Sequence, residues 1–251
     1  MLGFSLGVAG SVLLSQKPQP TILSPNITSH YNSTGTGEAN YQWGLPASAQ
    51  AGHKLLMCYG RGAFNSAITA SGTSQIWHGW LDRRSATSGE AAVWQFQNTT
   101  LTETDIANGY VVVPNVGTSM TAVGVLLTGV TTITPAFTPN STTSTAPAVA
   151  TAGVTRSASL AANSIVPPSM TASARSLALL WIMRGGGRRT ISGPPGWTLV
   201  ADIDTSVASA GRYPQHIYAR YLEAGQSIGS QTISWTGAPD MSIDATALLL
   251  T

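Results

Sequence analysis

Asp202 and Asp204 are the acidic residues whose spacing comes closest to a ligand set in this sequence of 251 residues. They alternate in the stretch DIDTS, so a strand would place both carboxylates on one face. Carboxylates in such an arrangement can hold calcium. They are equally typical of the solvated end of a strand beside a loop, and we favour that interpretation.

The remaining candidates for chemistry do not form a recognisable set. His30, His53, His78 and His216 stand far apart, without an HxH, HExxH or Cys/His pattern for zinc. No GxSxG elbow is present, and the ten acidic residues show no pair with aromatic neighbours of the kind that a glycosidase needs. The single cysteine, Cys58, lies in the apolar run KLLMCYG, which predicts a buried small side chain. We therefore expect no catalytic residue, metal or cofactor, and a chain that is not an enzyme.

Two glycine–arginine stretches resemble phosphate loops only superficially. GRG at 60–62 and RGGGRR at 184–189 lack both the GK[ST] ending and the GxGxxG spacing, so they are interpreted as hairpin turns. The net charge is +2, and no basic stripe is present. We expect no nucleic-acid partner.

Aromatic residues offer one binding hypothesis. Trp77, Trp80 and Trp94 are candidates for stacking against a glycan, as exposed aromatic rings do in sugar-binding sandwiches. Tryptophans more often lie in a core, and this alternative stays open.

The composition indicates β-structure. Charged residues make up 9% of the chain, against about 25% in ordinary soluble domains. Helix surfaces usually carry Glu, Lys and Arg, and this chain has only two lysines, Lys17 and Lys54. A surface with so few charges is poorly protected against association, so we expect much of it to be buried against other subunits.

Short apolar or alternating runs recur every 8–15 residues between turn signals, which is typical of an antiparallel sandwich. In HIYARYL (216–222) the alternation predicts a strand with one buried face, and in QTISWTG (231–237) Ile233 and Trp235 share a face. One short helix is predicted in LTETDIANG (101–109), with Thr102 as its cap and Gly109 at its end.

A faint internal repeat divides the chain. Leu55 corresponds to Leu177 at a spacing of 122, and Leu127 to Leu250 at a spacing of 123. Such a period suggests a duplicated unit of about 120 residues. The predicted fold is all-β, with two tandem antiparallel β-sandwich (jelly-roll-like) units. The predicted segments are an N-terminal arm or strand (1–20), a first sandwich (21–133), a Thr/Pro/Ser/Ala-rich linker (134–153) and a second sandwich (154–251). Part of the linker could run as the first strand of the second unit.

The N-terminal segment is apolar but too short and too rich in glycine for a membrane span, and it lacks the basic start of a signal peptide. We interpret residues 1–16 as an extended arm that is covered by its own fold or by a neighbour. Its candidate anchor residues are Leu2, Phe4, Leu6, Val8, Val12, Leu13 and Leu14.

The stretch GPPGWTLV at 193–200 combines a rigid turn with a bulky apolar residue. Pro194 and Pro195 cannot donate to a β-ladder, so they end any preceding pairing. Gly196 permits a sharp bend, and Trp197 then opens a strand with its ring turned inward. We assign these four residues and Trp235 to the structural core and turns.

The order of an apolar strand, a glycine-rich turn, PPGWTLV, an aromatic strand (HIYARYLEAG), a Thr/Ser strand (SQTISWTG) and a small-apolar strand (ATALLL) resembles virion β-sandwich domains of tailed bacteriophages. Such domains occur in head decoration, head fibre and accessory tail proteins. The resemblance covers roughly residues 165–251; the first unit joins it only through the repeat, and its GTSQIWHGW lacks the double proline.

The resemblance implies a structural virion protein on the particle surface, a homotrimer, and partners among the major capsid or tail proteins. The alternative is a carbohydrate-binding adhesin that attaches to a host surface glycan. We also expect that removing residues 1–16 abolishes incorporation without unfolding the protein.

Overall fold

The computed structural model describes the chain over residues 19–30, 40–62, 73–77, 92–114, 120–136, 155–157, 164–184, 190–203, 215–236 and 243–251. Within these ranges the protein consists of sixteen strands and one short helix. In chain order they are β1 (Thr21–His30), β2 (Asn40–Gly44), β3 (Lys54–Gly62), β4 (Thr73–Trp77), β5 (Ala92–Thr100), α1 (Glu103–Asn108), β6 (Tyr110–Pro114), β7 (Met120–Thr128), β8 (Ile133–Pro135), β9 (Thr155–Ser157), β10 (Ser164–Ile165), β11 (Ser176–Arg184), β12 (Ile191–Ser192), β13 (Thr198–Ile203), β14 (Gln215–Leu222), β15 (Ile233–Trp235) and β16 (Ile243–Leu250).

All strand pairs in these ranges are antiparallel, and the prediction of an all-β protein is confirmed. The first half of the chain forms a five-stranded sheet in the order β1-β7-β3-β5-β4 and a separate β2-β6 pair. The second half forms a sheet in the order β13-β14-β11-β16-β8, with β9 also on β16, and a small sheet β10-β15-β12.

Strands at corresponding positions of the repeat have the same order in the two large sheets, when the order of one sheet is read in reverse. β3 and β11 are the central strands, flanked by β7 and β16 on one side and by β5 and β14 on the other. The register agrees too: Leu56 pairs with Val125, and Leu179 pairs with Leu248, so both partners are shifted by 123 residues (179 − 56 and 248 − 125). These matches support the internal repeat, although the division into two tandem jelly-roll units remains a prediction.

One detail of the predicted repeat needs correction. Leu177 faces the cluster between the large sheets, whereas Leu55 is buried outside it. Side chains alternate between the faces of a strand, so two equivalent positions must lie on the same face. Leu56 and Leu179 do so, and the proposed Leu55–Leu177 match is displaced by one residue.

One hydrophobic cluster of described residues lies between the two large sheets. The five-stranded sheet contributes Leu56, Cys58, Phe96 and three residues of β7, and β11, β13, β14 and β16 contribute from the other side. The Phe96 and Trp181 rings meet edge to face, with centroids 5.1 Å apart. Packing of this kind is what the apolar faces of two sheets require.

A buried polar contact crosses the same cluster. The fully buried Gln215 accepts a hydrogen bond from the Trp181 indole (Nε1 to Oε1, 2.7 Å) and donates one to the Cys58 carbonyl (Nε2 to O, 3.2 Å). The second bond joins β14 of one large sheet to β3 of the other. Gln215 therefore connects the two halves of the chain and satisfies the indole N–H inside the core.

The opposite face of the six-stranded sheet is buried as well. Ala178, Leu180 and Tyr218 pack there with Ile233 and Trp235 of the small sheet in a second cluster. The predicted single buried face of the HIYARYL strand is therefore wrong: Ile217 and Ala219 enter the first cluster while Tyr218 enters the second. The shared face of Ile233 and Trp235 is confirmed.

The predicted helix is confirmed at α1. The Thr102 hydroxyl accepts from the Asp105 N–H, the Asp105 carboxylate accepts from the Thr102 N–H at 2.8 Å, and Gly109 ends the helix at φ 71°.

The predicted linker begins inside the six-stranded sheet. β8 pairs with the last residues of β16, and β9 pairs with its first ones, so both flanks of residues 137–154 lie along the same edge. Residues 133–135 thus run as a strand of the second sheet, as the sequence suggested for part of this segment.

Candidate functional site

The turn 193–197 is held by close packing against β14. Trp197 N–H donates to the Pro194 carbonyl at 3.3 Å, and Gly196 has φ 78°, which favours glycine. A Cβ at Gly193 would overlap the Tyr218 ring, so this position also requires glycine. Trp197 is partly buried against the second cluster, and β13 begins at Thr198, one residue after the predicted start. The turn thereby sets where β13 lies against β14.

An Asp–His pair lies on the face of β13 and β14 that carries the second cluster. Asp202 is opposite His216 in the register, and its Oδ1 is 2.9 Å from His216 Nδ1. The His216 side chain is 2% exposed and that of Asp202 is 54% exposed. A carboxylate on Nδ1 fixes the tautomer of the imidazole. The imidazole is buried, and its contact with Asp202 joins β14 to β13 through their side chains.

Tyr218 lies two residues further along the same face. Burial raises the pKa of its hydroxyl above the ordinary value of 10.0, and the Asp202 carboxylate raises this pKa further. The hydroxyl donates to the Ile191 carbonyl at 3.3 Å. Tyr218 therefore stays protonated while it joins β14 to the small sheet.

An open groove of about 480 Å³ lies where the start of β1 meets β13 and β14. Its walls are mostly apolar, and the Tyr221 side chain stands exposed in them at 44%. Leu199 also lines the groove, but its pairing with Tyr218 turns its side chain to the opposite face of the sheet. Ile22 and Val200 form its floor, where they pack against the cluster between the large sheets. Exposed apolar side chains around a concavity are typical of a binding surface.

The chain enters the described structure beside this groove. The Tyr221 hydroxyl donates to the Pro20 carbonyl at 2.8 Å, and the Gln19 amide lies against the Arg175 guanidinium. Arg175 also lies over the Tyr221 ring, 5.9 Å from its centroid, and pairs with Glu223 at 3.1 Å. These contacts hold residues 19–20 at one end of the groove.

Several predicted site residues lie outside the described part of the chain: the anchor residues Leu2, Phe4, Leu6, Val8, Val12, Leu13 and Leu14, together with Trp80 and Asp204. Trp77 ends β4 opposite Phe96, and Trp94 lies in β5 opposite Gly60; only their backbones are described. The predicted Asp202–Asp204 pair is thus untested, and the described partner of Asp202 is His216.

The groove was not foreseen from the sequence. Its walls come from residues 21–22, 177, 196, 198–200 and 219–221, which only the packing of the two sheets brings together. The one signal in the sequence was Tyr221. It continues the apolar alternation of Ile217 and Ala219, but it lies beyond the part of β14 that the other sheet covers, so its side chain stays exposed.

Searches of protein families, curated proteins and solved structures return no match to this chain. Within the described ranges, no three His, Cys, Asp or Glu side chains lie close enough together to hold a metal ion. The same part of the chain contains no helix with the length and apolar character needed to cross a bilayer.

Proposed function

We propose that this protein is a non-enzymatic structural component of a tailed-phage particle, which decorates or stabilises the capsid or forms a head or tail appendage. It assembles with itself, as a trimer by resemblance, and contacts other virion proteins. The two jelly-roll-like units and the surface location belong to the same proposal.

The observation that supports the proposal most is the order of strands in the second half. β11, the short β12, the proline turn, β13, β14, β15 and β16 follow one another in the order of sequence segments on which the resemblance rests, and the double proline precedes β13. The low charge of 9% and the exposed apolar groove fit a chain that works by association.

The test is quantitative mass spectrometry of purified virus particles from the source. A fixed ratio of this chain to the major shell protein is the expected result, and the ratio separates a head position from a tail position. Absence of the chain from particles would refute the proposal. A truncated protein without residues 1–16 is expected to melt like the full chain and yet to be missing from particles; normal incorporation would refute the anchor role of the arm.

A further inference from the structure

A second concavity lies at the other edge of the six-stranded sheet. It has a volume of about 490 Å³ and lies between the β8–β16 pair and residues 168–173, and we call it the hydroxyl cleft. It shares no described lining residue with the groove between β1, β13 and β14. A volume of this size is usual for a small-molecule site.

One wall of the hydroxyl cleft is the edge of the sheet. Thr134 lies opposite Leu249, and Thr132 and Thr251 exchange two backbone hydrogen bonds at 2.9 and 3.0 Å. Residues opposite each other in an antiparallel pair point to the same face, as do positions two apart on one strand. Leu249 packs in the second cluster, so Thr132 and Thr134 lie on that side of the sheet, where they line the cleft. The ladder therefore holds their hydroxyls in a row beside an apolar side chain.

The other wall is the loop 168–173, whose position is fixed by its backbone. Three hydrogen bonds of 2.8–2.9 Å join its main chain to residues 225–228. Thr171 also lies opposite Ser227 in an isolated β-bridge. Because these bonds are already made, the loop presents Thr171 and Ser173 to the cleft without first being ordered by a ligand.

The side chains in the cleft restrict the class of ligand. Seven of the twelve described residues that line it are serine or threonine, and none of the twelve has an ionisable side chain. The hydroxyls of Thr132, Thr134, Thr171 and Ser173 make no hydrogen bond to any described residue. A purely apolar ligand would remove water from these groups without replacing its hydrogen bonds, and a charged ligand would find no opposite charge.

We propose that the hydroxyl cleft binds a neutral sugar. Each serine or threonine hydroxyl can both donate and accept, as each sugar hydroxyl can. The C–H groups of a sugar ring pack against the apolar part of the lining, which includes Met170, Leu249 and two prolines. The described lining contains none of the tryptophans that the sequence suggested for glycan stacking, and the proposal does not rest on the proposed function.

Ligand-observed NMR with the full-length protein tests this assignment. Saturation transfer is measured for the methyl glycosides of glucose, galactose, mannose and N-acetylglucosamine, and for glucuronic acid and glucosamine as charged counterparts of similar size. We expect transfer to at least one neutral glycoside and none to the two charged sugars. No transfer to any neutral glycoside would overturn the proposal, as would a charged sugar that binds at least as tightly as the neutral ones.

A longer probe separates the two sources of such a sugar. A tetrasaccharide of the preferred unit that binds as tightly as the methyl glycoside supports a glycan chain as the ligand. A tetrasaccharide that does not bind supports a free saccharide.

A double variant tests whether the sugar binds in the cleft. Thr134→Val together with Thr171→Val replaces one hydroxyl on each wall by a methyl group. The loss of two hydrogen bonds should weaken binding about tenfold or more in an NMR titration, and the melting temperature should stay unchanged because both side chains are exposed. Thr198→Val makes the same change at an exposed strand position outside the cleft and should bind like the parent. Unchanged binding by the double variant would overturn the assignment to this cleft.

A smaller change keeps the test valid if the double variant melts below the parent. Ser173→Ala removes one hydroxyl of the loop and should weaken binding several-fold; binding equal to that of the parent would again contradict the assignment. The particle measurement is independent of these results. A chain that is absent from particles but binds a neutral sugar in the cleft would refute the virion role and keep the sugar site, and the reverse result would do the opposite.

Discussion

Gln215 is the side chain whose replacement tests most directly how the two large sheets are joined. Its amide accepts from Trp181 within one sheet and donates to the Cys58 carbonyl of the other. Gln215→Met keeps the length and approximate volume of the side chain and removes both hydrogen bonds. The substitution therefore separates the polar contact from the packing around it.

The expected loss follows from the burial of the indole. Trp181 is fully buried, so its N–H cannot turn to water when Gln215 is replaced. A buried donor left without its partner costs about 1–3 kcal/mol. In a chain of this size each kcal/mol corresponds to about 2–4 °C in melting temperature, so the variant should melt about 2–12 °C below the parent.

Thermal unfolding followed by circular dichroism measures this shift. Gln42→Met makes the same change at an exposed strand position and should melt with the parent. The double variant Gln215→Met, Trp181→Phe removes both the donor and its acceptor. It should lose less stability than the sum of the two single variants, with a coupling of about 1 kcal/mol or more.

Two results would refute the reasoning. If Gln215→Met melts together with Gln42→Met, the contact between the sheets does not contribute to stability. If the double variant loses the full sum of the single losses, Gln215 and Trp181 act independently, and the indole does not depend on this amide.

Three further outcomes are expected. Gly193→Ala should lower the free energy of unfolding by about 1–3 kcal/mol, because its Cβ overlaps the Tyr218 ring. Urea unfolding measures this loss, which should be smaller in a Tyr218→Ala background. The control is Gly196→Ala, which is strained by its φ of 78° and should cost about 1–2 kcal/mol in either background. Tyr218 has a folded pKa raised above that of the unfolded chain, so its contribution is complete below pH 10 and is lost as the pH rises through the folded pKa. The melting temperature of Tyr218→Phe should accordingly fall less steeply above pH 10 than that of the parent, and equal slopes would contradict this assignment. Cys58 is fully buried, and burial raises the pKa of its thiol, so a disulfide reagent should label it only after unfolding or opening. Gln215→Met should speed this labelling about tenfold for each 1.4 kcal/mol lost, and rapid labelling of the parent would show that the core between the sheets is not closed.

Local patterns in the sequence were sufficient for the fold class and for several elements. Low charge and short apolar runs indicate β-structure, and the spacing from Thr102 to Gly109 is enough to place α1. The run SLALLWIM lacks alternation, and the structure buries both faces of the strand it forms. The alternation in HIYARYL led to the wrong prediction of one buried face. Tyr218 occupies a position that the pattern assigns to the polar face, although its ring lies in the second cluster.

Contacts between distant residues could not be read in this way. Asp202 was matched with its neighbour Asp204, whereas the described contact of Asp202 is with His216, which the β13–β14 register places opposite. The groove depends on how two sheets from different halves of the chain meet. Both features follow from strand pairing and sheet packing, for which the amino-acid pattern of a single segment carries no signal.

The two short strands β8 and β9, which pair with opposite ends of β16, make residues 137–154 a suitable place to insert a foreign sequence. The chain leaves the sheet where Ala136 N–H donates to the Ala247 carbonyl and returns where Thr155 pairs with Ala245, only two positions away. Because both ends of residues 137–154 are already brought together by the sheet, doubling the length of this segment costs only about 0.6 kcal/mol in closure entropy. A peptide or small domain inserted here should leave the core between the sheets intact, which the melting temperature of the insertion variant would measure.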